Sequence, residues 1–225
     1  KKLKNSSIAG KKGQYNFLTE ACVLRKLDHP HIVQIIGTSH LETPLLIVME
    51  YCNGGSMSSY LMKNGKTMEI KEKSRFVVEA AEGMAYLERQ LCVHRAISAK
   101  KCLLSGTNKT VKISGFRLSH DNVIENRILW KRIPEWKSPE ILMDSIYSLK
   151  SDVWDFAMLM WEIYSNGAEP YPGLTRLLTL AEREMKKLPD YQMKMPHDTP
   201  EVLAKIALNC WNLNPSYRPS MSEIL

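Results

Sequence analysis

Long apolar runs are missing from this sequence. The longest, around residues 45–49 and 156–161, fall well short of the roughly 20 residues that a bilayer-spanning helix needs, so no transmembrane segment is expected. The chain does not open with the charged, apolar and small-residue pattern of a secretory signal. Glycine and proline stand at only 11 each, which excludes collagen-like and low-complexity classes, and 44% apolar residues exclude a disordered chain. Cysteine is sparse and unpaired in pattern. Cys22, Cys52, Cys92, Cys102 and Cys210 lie far apart, with no C-x-x-C pair and no histidine at metal-ligand spacing. That excludes a disulfide framework or a zinc site and points to a reducing, cytoplasmic setting.

What is there is a globular chain of 225 residues whose 31 basic and 24 acidic side chains leave a net charge of +7. The densest basic patches, 1–12 and 63–75, are not interleaved with aromatics, so they read as solvated faces and no nucleic-acid partner is expected. The chain starts at Lys1 rather than methionine and stops at Leu225 in what reads as the start of a helix, so it is expected to be part of something longer.

Apolar spacing at Phe17, Ala21, Leu24 and Leu27 predicts an amphipathic helix over 14–27, ended by Asp28-His29-Pro30. Two β-rich runs follow, 31–36 and 45–49, before Asn53-Gly54-Gly55 marks a turn or hinge. Phe76, Val77, Ala80, Ala81, Met84 and Leu87 predict a helix over 69–90. A β-hairpin is expected from strands 102–105 and 110–114 around Gly106-Thr107-Asn108-Lys109. The run 152–164 is apolar on nearly every face and predicts a helix buried all round. Thr199 and Pro200 read as the cap and first turn of a helix whose Leu203, Ile206, Ala207 and Cys210 share a face. His29 and His31 read as turn and packing residues, not as ligands.

The order of these pieces, with a set of short signatures, resembles the protein-kinase domain, and among kinases the cytoplasmic tyrosine kinases of the Fer and Fes kind. The signatures are Phe17-Leu18-Thr19-Glu20-Ala21, His29-Pro30-His31-Ile32-Val33, Ile47-Val48-Met49-Glu50-Tyr51, His94-Arg95, Trp136-Lys137-Ser138-Pro139-Glu140, Ser151-Asp152-Val153-Trp154, Pro170-Tyr171-Pro172-Gly173, Cys210-Trp211 and Arg218-Pro219. The likeness covers essentially the whole chain. It implies a two-lobed α+β fold: a partial β-rich small lobe over 1–50 lacking its first strands, a hinge over 51–55 and a mainly helical large lobe over 56–225.

The resemblance also implies roles for particular residues. Lys1 falls where the third strand carries the lysine that orients ATP, and Glu20 where the first helix supplies its ion-pair partner. Met49 takes the gatekeeper position, Glu50 to Cys52 the hinge, and Leu103 the floor beneath an adenine. Leu24, Ile35, His94 and Phe116 match a stacked spine anchored on Asp152, and Glu140 and Arg218 match a buried pair that ties the activation segment to the large lobe.

The chemistry of the family is replaced at three positions. The catalytic loop, H-R-D with N five residues later, reads His94-Arg95-Ala96 and then Lys101; the D-F-G tripeptide reads Gly115-Phe116-Arg117. A methyl group cannot accept the substrate's proton, a service typically worth about 10²- to 10⁴-fold. Lysine and glycine supply no oxygen to magnesium, which neutralises and bridges the β and γ phosphates. The segment 115–140 holds no tyrosine to act as a switch, its Ser119 reads as an exposed loop serine, and Glu135 replaces a basic residue used toward a substrate tyrosine.

Three functions stay open. The first is a silent pseudokinase that acts as a scaffold or allosteric regulator through protein partners, another kinase or signalling protein among them. The second is an ATP-dependent kinase with displaced groups, for which Asp121, Asn122 and Asp155 are the nearest candidates. The third is a decayed product without a role. No metal is expected, and ATP binding without magnesium stays possible if Lys101, helped by Arg117, stands near the phosphates.

Overall fold

The computed structural model describes residues 11–39, 44–116, 119, 137–144, 146–170 and 193–225. Helix α1 (Lys11–Leu24) turns Phe17 and Ala21 toward Ile47 to form a small cluster, while Leu24 joins the main core. Strands β1 (Ile35–Ser39) and β2 (Leu46–Met49) pair antiparallel, from Ile35 against Met49 to Ser39 against Leu46, with a bulge between Ile35 and Gly37.

The first strand starts four residues later than the sequence predicts, because residues 31–33 are claimed by another partner. Ile113 donates its N–H to the His31 carbonyl at 2.8 Å, and Val33 donates to the Ile113 carbonyl at 2.9 Å. The helix before it likewise ends at Leu24, with Leu27 closing a turn back onto the Leu24 carbonyl at 3.2 Å.

A chain segment over 50–56 leads to α2 (Met57–Asn64), capped by Ser56, whose hydroxyl accepts the Ser59 N–H at 3.2 Å. This helix was not expected: Met57 and Leu61 are its only buried apolar anchors, too few to display a period. Gly54 is required here by a close approach. Its N–H donates to the Leu104 carbonyl at 2.9 Å, and a Cβ would lie 2.8 Å from the Leu104 Cβ. Helix α3 (Ile70–Arg89) and the hairpin β3 (Cys102–Ser105) and β4 (Thr110–Ile113) follow as predicted, within a residue at each end.

Helix α4 (Pro139–Asp144) precedes α5 (Leu149–Tyr164), which is buried at every residue from Ser151 to Tyr164. It starts earlier than its apolar run because Ser148 and Ser151 form a reciprocal capping box. Helix α5 packs between α3 and α6 (Glu201–Cys210). Pro200, not Thr199, is the cap of α6, and the Thr199 hydroxyl is buried with no hydrogen-bond partner among the described residues. A last turn, α7 (Met221–Ile224), is held against α3 by Glu88, which accepts the Met221 N–H at 2.9 Å. Among the described residues no helix is long and apolar enough to cross a membrane. All five cysteines are described and none is in a disulfide.

Candidate functional site

Helix α5 is the platform on which the loop 94–101 is built. Asp152 accepts the His94 N–H at 2.6 Å on one carboxylate oxygen and the Arg95 N–H at 2.8 Å on the other. Nearly three turns on, Glu162 accepts the Ala99 N–H at 2.8 Å. Burial, and the neighbouring Asp155, push the Asp152 carboxyl up to about 7 against the pull of those two donors. Arg95 is held in the left-handed region at φ 69°, with its guanidinium carbon 5.1 Å from the centre of the Tyr147 ring. A bulky residue adopts that backbone only where its surroundings fix it, as Asp152 and Tyr147 do here.

The His94 ring meets the Phe116 ring edge-on, 4.8 Å between centroids. Its Nδ1 accepts the Ala96 N–H at 3.3 Å, so Nε2 carries the proton and donates to the Ser114 carbonyl at 3.1 Å. Complete burial pushes its pKa down to about 3, so the imidazole is a neutral packing element. Leu24 and Phe116 lie fully buried in the same core, and Ile35 packs against it. Ser119 is also buried, its hydroxyl 3.3 Å from the His94 carbonyl, which corrects the expectation of an exposed loop serine.

Two of the three chemically altered positions, Lys101 and Gly115, meet in one place. The β3–β4 hairpin extends by one rung, with the Ser114 N–H and hydroxyl both donating to the Lys101 carbonyl at 2.8 Å. Lys101 is thereby set beside Gly115, and its side chain runs over the glycine. A Cβ on residue 115 would lie 2.7 Å from Lys101 Cδ and 3.3 Å from Nζ. Gly115 has φ 87°, a backbone that strains any residue with a side chain, and a Cβ there would oblige the Lys101 side chain to shift.

This donor set does not fit magnesium, which demands oxygen ligands. Position 96 offers a methyl, 101 an ammonium and 115 no side chain. Among the described residues no group of three or more His, Cys, Asp or Glu could hold a metal ion.

Asp155 does not supply a displaced carboxylate. It is wholly buried, and its Oδ2 accepts from Lys137 Nζ at 2.7 Å; the same ammonium donates to the Arg95 carbonyl at 2.6 Å. Sequence reasoning missed this pair, although an aspartate inside an otherwise apolar helix signals a buried charge that needs a cation. Asp121, Asn122, Glu135, Arg117 and Lys1 lie outside the described residues.

The remaining expected residues are placed as follows. Glu20 is buried on α1. Met49 ends β2 and packs against the core. Glu50 turns its carboxylate to Lys112 Nζ at 2.9 Å and to the Gln34 N–H at 2.7 Å. Cys52 is buried, which raises its thiol pKa, so it is a packing residue rather than a nucleophile. Leu103 is half-buried on β3, where its backbone bridges Ser56.

Arg218 and Glu140 form a bidentate pair at 2.6 and 2.8 Å, with the guanidinium also donating to the carbonyls of Lys150 and Asn212. His31 is more than packing: its Nε2 lies 2.9 Å from Glu82 and its Nδ1 3.0 Å from the Val111 carbonyl.

Comparison with known proteins places these features in context. The family model described as protein tyrosine and serine/threonine kinase matches residues 1–225. Fer-related kinase 1 of Caenorhabditis elegans is 45% identical over 218 residues, 96% of this chain and 54% of that protein. Human tyrosine-protein kinase Fer is 38% identical over 211 residues, 92% of this chain and 25% of that protein. The tyrosine-protein kinase transforming protein Fps of avian sarcoma virus (strain PRCII) is 37% identical over 212 residues, 92% of this chain and 39% of that protein. The chain thus spans about half the length of the nematode relative and a quarter of the human one.

Proposed function

The chain belongs to the protein tyrosine and serine/threonine kinase family, with a kinase domain of the Fer and Fes tyrosine type, and from that premise we propose that it is a pseudokinase. It keeps the α+β fold of the family, a small sheet-containing lobe and a helical lobe. Its role, in this reading, is to scaffold or allosterically regulate tyrosine-phosphorylation signalling through protein partners in the cytoplasm. The division into a partial small lobe over 1–50, a hinge over 51–55 and a large lobe over 56–225 belongs to the same reading.

The observation that carries it is the Lys101 side chain lying across Gly115. Phosphoryl transfer is mostly positioning and electrostatic stabilisation by metal ions. Here one metal ligand has become a cation and the other has lost its side chain, and the cation fills the vacated volume. Ala96 removes proton acceptance as well. The groups that hold the loops remain: Asp152 on His94 and Arg95, and Arg218 on Glu140. A site that keeps its supports without its reactive groups suits binding rather than turnover.

The test is transfer of labelled phosphate. Full-length protein, magnesium, ATP and a tyrosine peptide are expected to give no labelling above the protein-free reaction. Magnesium-dependent labelling, absent from a variant that cannot bind ATP, would overturn the reading and restore the alternative of an active kinase with displaced groups.

A further inference from the structure

We propose that the ε-ammonium of Lys101 replaces magnesium at the phosphate end of the cleft, so that the domain binds a nucleoside triphosphate in its metal-free, fully ionised form. The inference rests on the kinase-family reading for the position of the cleft and on the contact between Lys101 and Gly115 for its charge.

A carboxylate on residue 115 would place its oxygens about 2.4 Å beyond the Cβ, and magnesium about 2.1 Å beyond those. The ammonium nitrogen lies 3.3 Å from that Cβ position, between the distances at which the carboxylate oxygens and the ion would stand. The sign of the charge matches too, since the ammonium is positive as the ion would be.

Lys101 is set there by its backbone rather than by chance packing. Its carbonyl accepts twice from Ser114 at 2.8 Å, its N–H donates to the Ser98 carbonyl at 2.8 Å, and the residue is half-buried. Magnesium would be repelled by the ammonium and would lower the negative charge of the ligand it is meant to attract. Added magnesium is therefore expected to weaken binding, the reverse of the dependence of a metal-using site.

The experiment is calorimetric titration of the full-length protein with ATP in EDTA and again in excess magnesium. Binding in EDTA as tight as or tighter than in magnesium is expected. Binding that requires magnesium, or no binding in either buffer, would overturn the proposal, and this comparison needs no variant.

Lys101→Met keeps the aliphatic cover over Gly115 and removes the charge. It is expected to lose about tenfold or more in EDTA, while Lys101→Arg retains affinity. Unchanged affinity in Lys101→Met would equally end the proposal. Adenosine, which lacks phosphates, is expected to bind wild type and Lys101→Met alike, and a parallel loss would mean that the lysine only shapes the site. The phosphate-labelling assay on the same protein is independent of these titrations: turnover would defeat the silent reading, and metal dependence this one.

Discussion

Lys137 and Asp155 form an ion pair in the interior, Nζ to Oδ2 at 2.7 Å, that ties the segment before α4 to α5 and, through the Arg95 carbonyl, to the loop 94–101. Three parts of the domain that could otherwise move separately share one ammonium. Lys137→Met is expected to destabilise the protein by about 3–5 kcal/mol, because it strands a buried carboxylate. Lys137→Met with Asp155→Leu should recover most of that loss, because both charges leave together. Urea denaturation of the two singles and the double completes the cycle; additive losses would mean that the two side chains act separately.

The buried imidazole sets an acid limit. His94 has an ordinary pKa of 6.5 and is held down to about 3, so the unfolded chain takes a proton that the native one refuses. Its contribution is intact above pH 6.5 and is lost as pH falls toward about 3. Asp152 and Asp155, raised from 3.8 to about 7 and about 6, act oppositely and stabilise the fold as pH falls through that range. His94→Phe removes the first effect and keeps the second. Its deficit relative to wild type, measured by urea midpoints, is expected to shrink between pH 6.5 and 4.5, and parallel profiles would refute the assignment.

Gly115→Asp installs the residue that the family resemblance implies at this position, and it is expected to fail alone. At φ 87° the aspartate strains the backbone, and because its Cβ would lie 2.7 Å from Lys101 Cδ the lysine must swing aside as well. A loss of about 1–3 kcal/mol is expected. Lys101→Asn with Gly115→Asp removes the obstruction and should be more stable than Gly115→Asp by itself. Thermal melts of the three proteins decide it.

Arg218 ties four groups with one guanidinium: both oxygens of Glu140 and the carbonyls of Lys150 and Asn212. Arg218→Leu is expected to cost about 3–5 kcal/mol. Arg218→Lys should recover little, since an ammonium cannot reproduce the planar bidentate geometry. Near-complete recovery by lysine would show that charge, not shape, is what the position requires.

Much of this architecture is legible in the order of residues. The run 152–164 reads as a buried helix because nothing polar interrupts its faces except groups with partners, and the turn 106–109 announces its hairpin. Residues 31–36 mislead because hydrophobic strand formers are alike whichever strand they pair with, and β4 takes 32 and 33 first. Ala96, Lys101 and Gly115 stand out in the sequence through the family resemblance, but the contact between the last two does not show by inspection. It follows from register: with Cys102 opposite Ile113, one further rung sets Lys101 opposite Ser114, and Gly115 is next. Lys137 and Asp155 have no such rule, because they belong to segments joined only by tertiary packing.

Helix α5 has a consequence for the birth of the protein. Its sides are all interior, and α3, made much earlier, packs on it as well as on β4, so that part of the α3 surface has nothing to close on until α5 leaves the ribosome. At synthesis rates of about 5–20 residues per second, that part of α3 stays uncovered for on the order of several seconds. During that interval the nascent chain presents the apolar side chains of α3 that later face α5 to whatever binds apolar segments. The completion of one helix, rather than the local strength of those before it, sets the moment at which the chain stops being a substrate for chaperones.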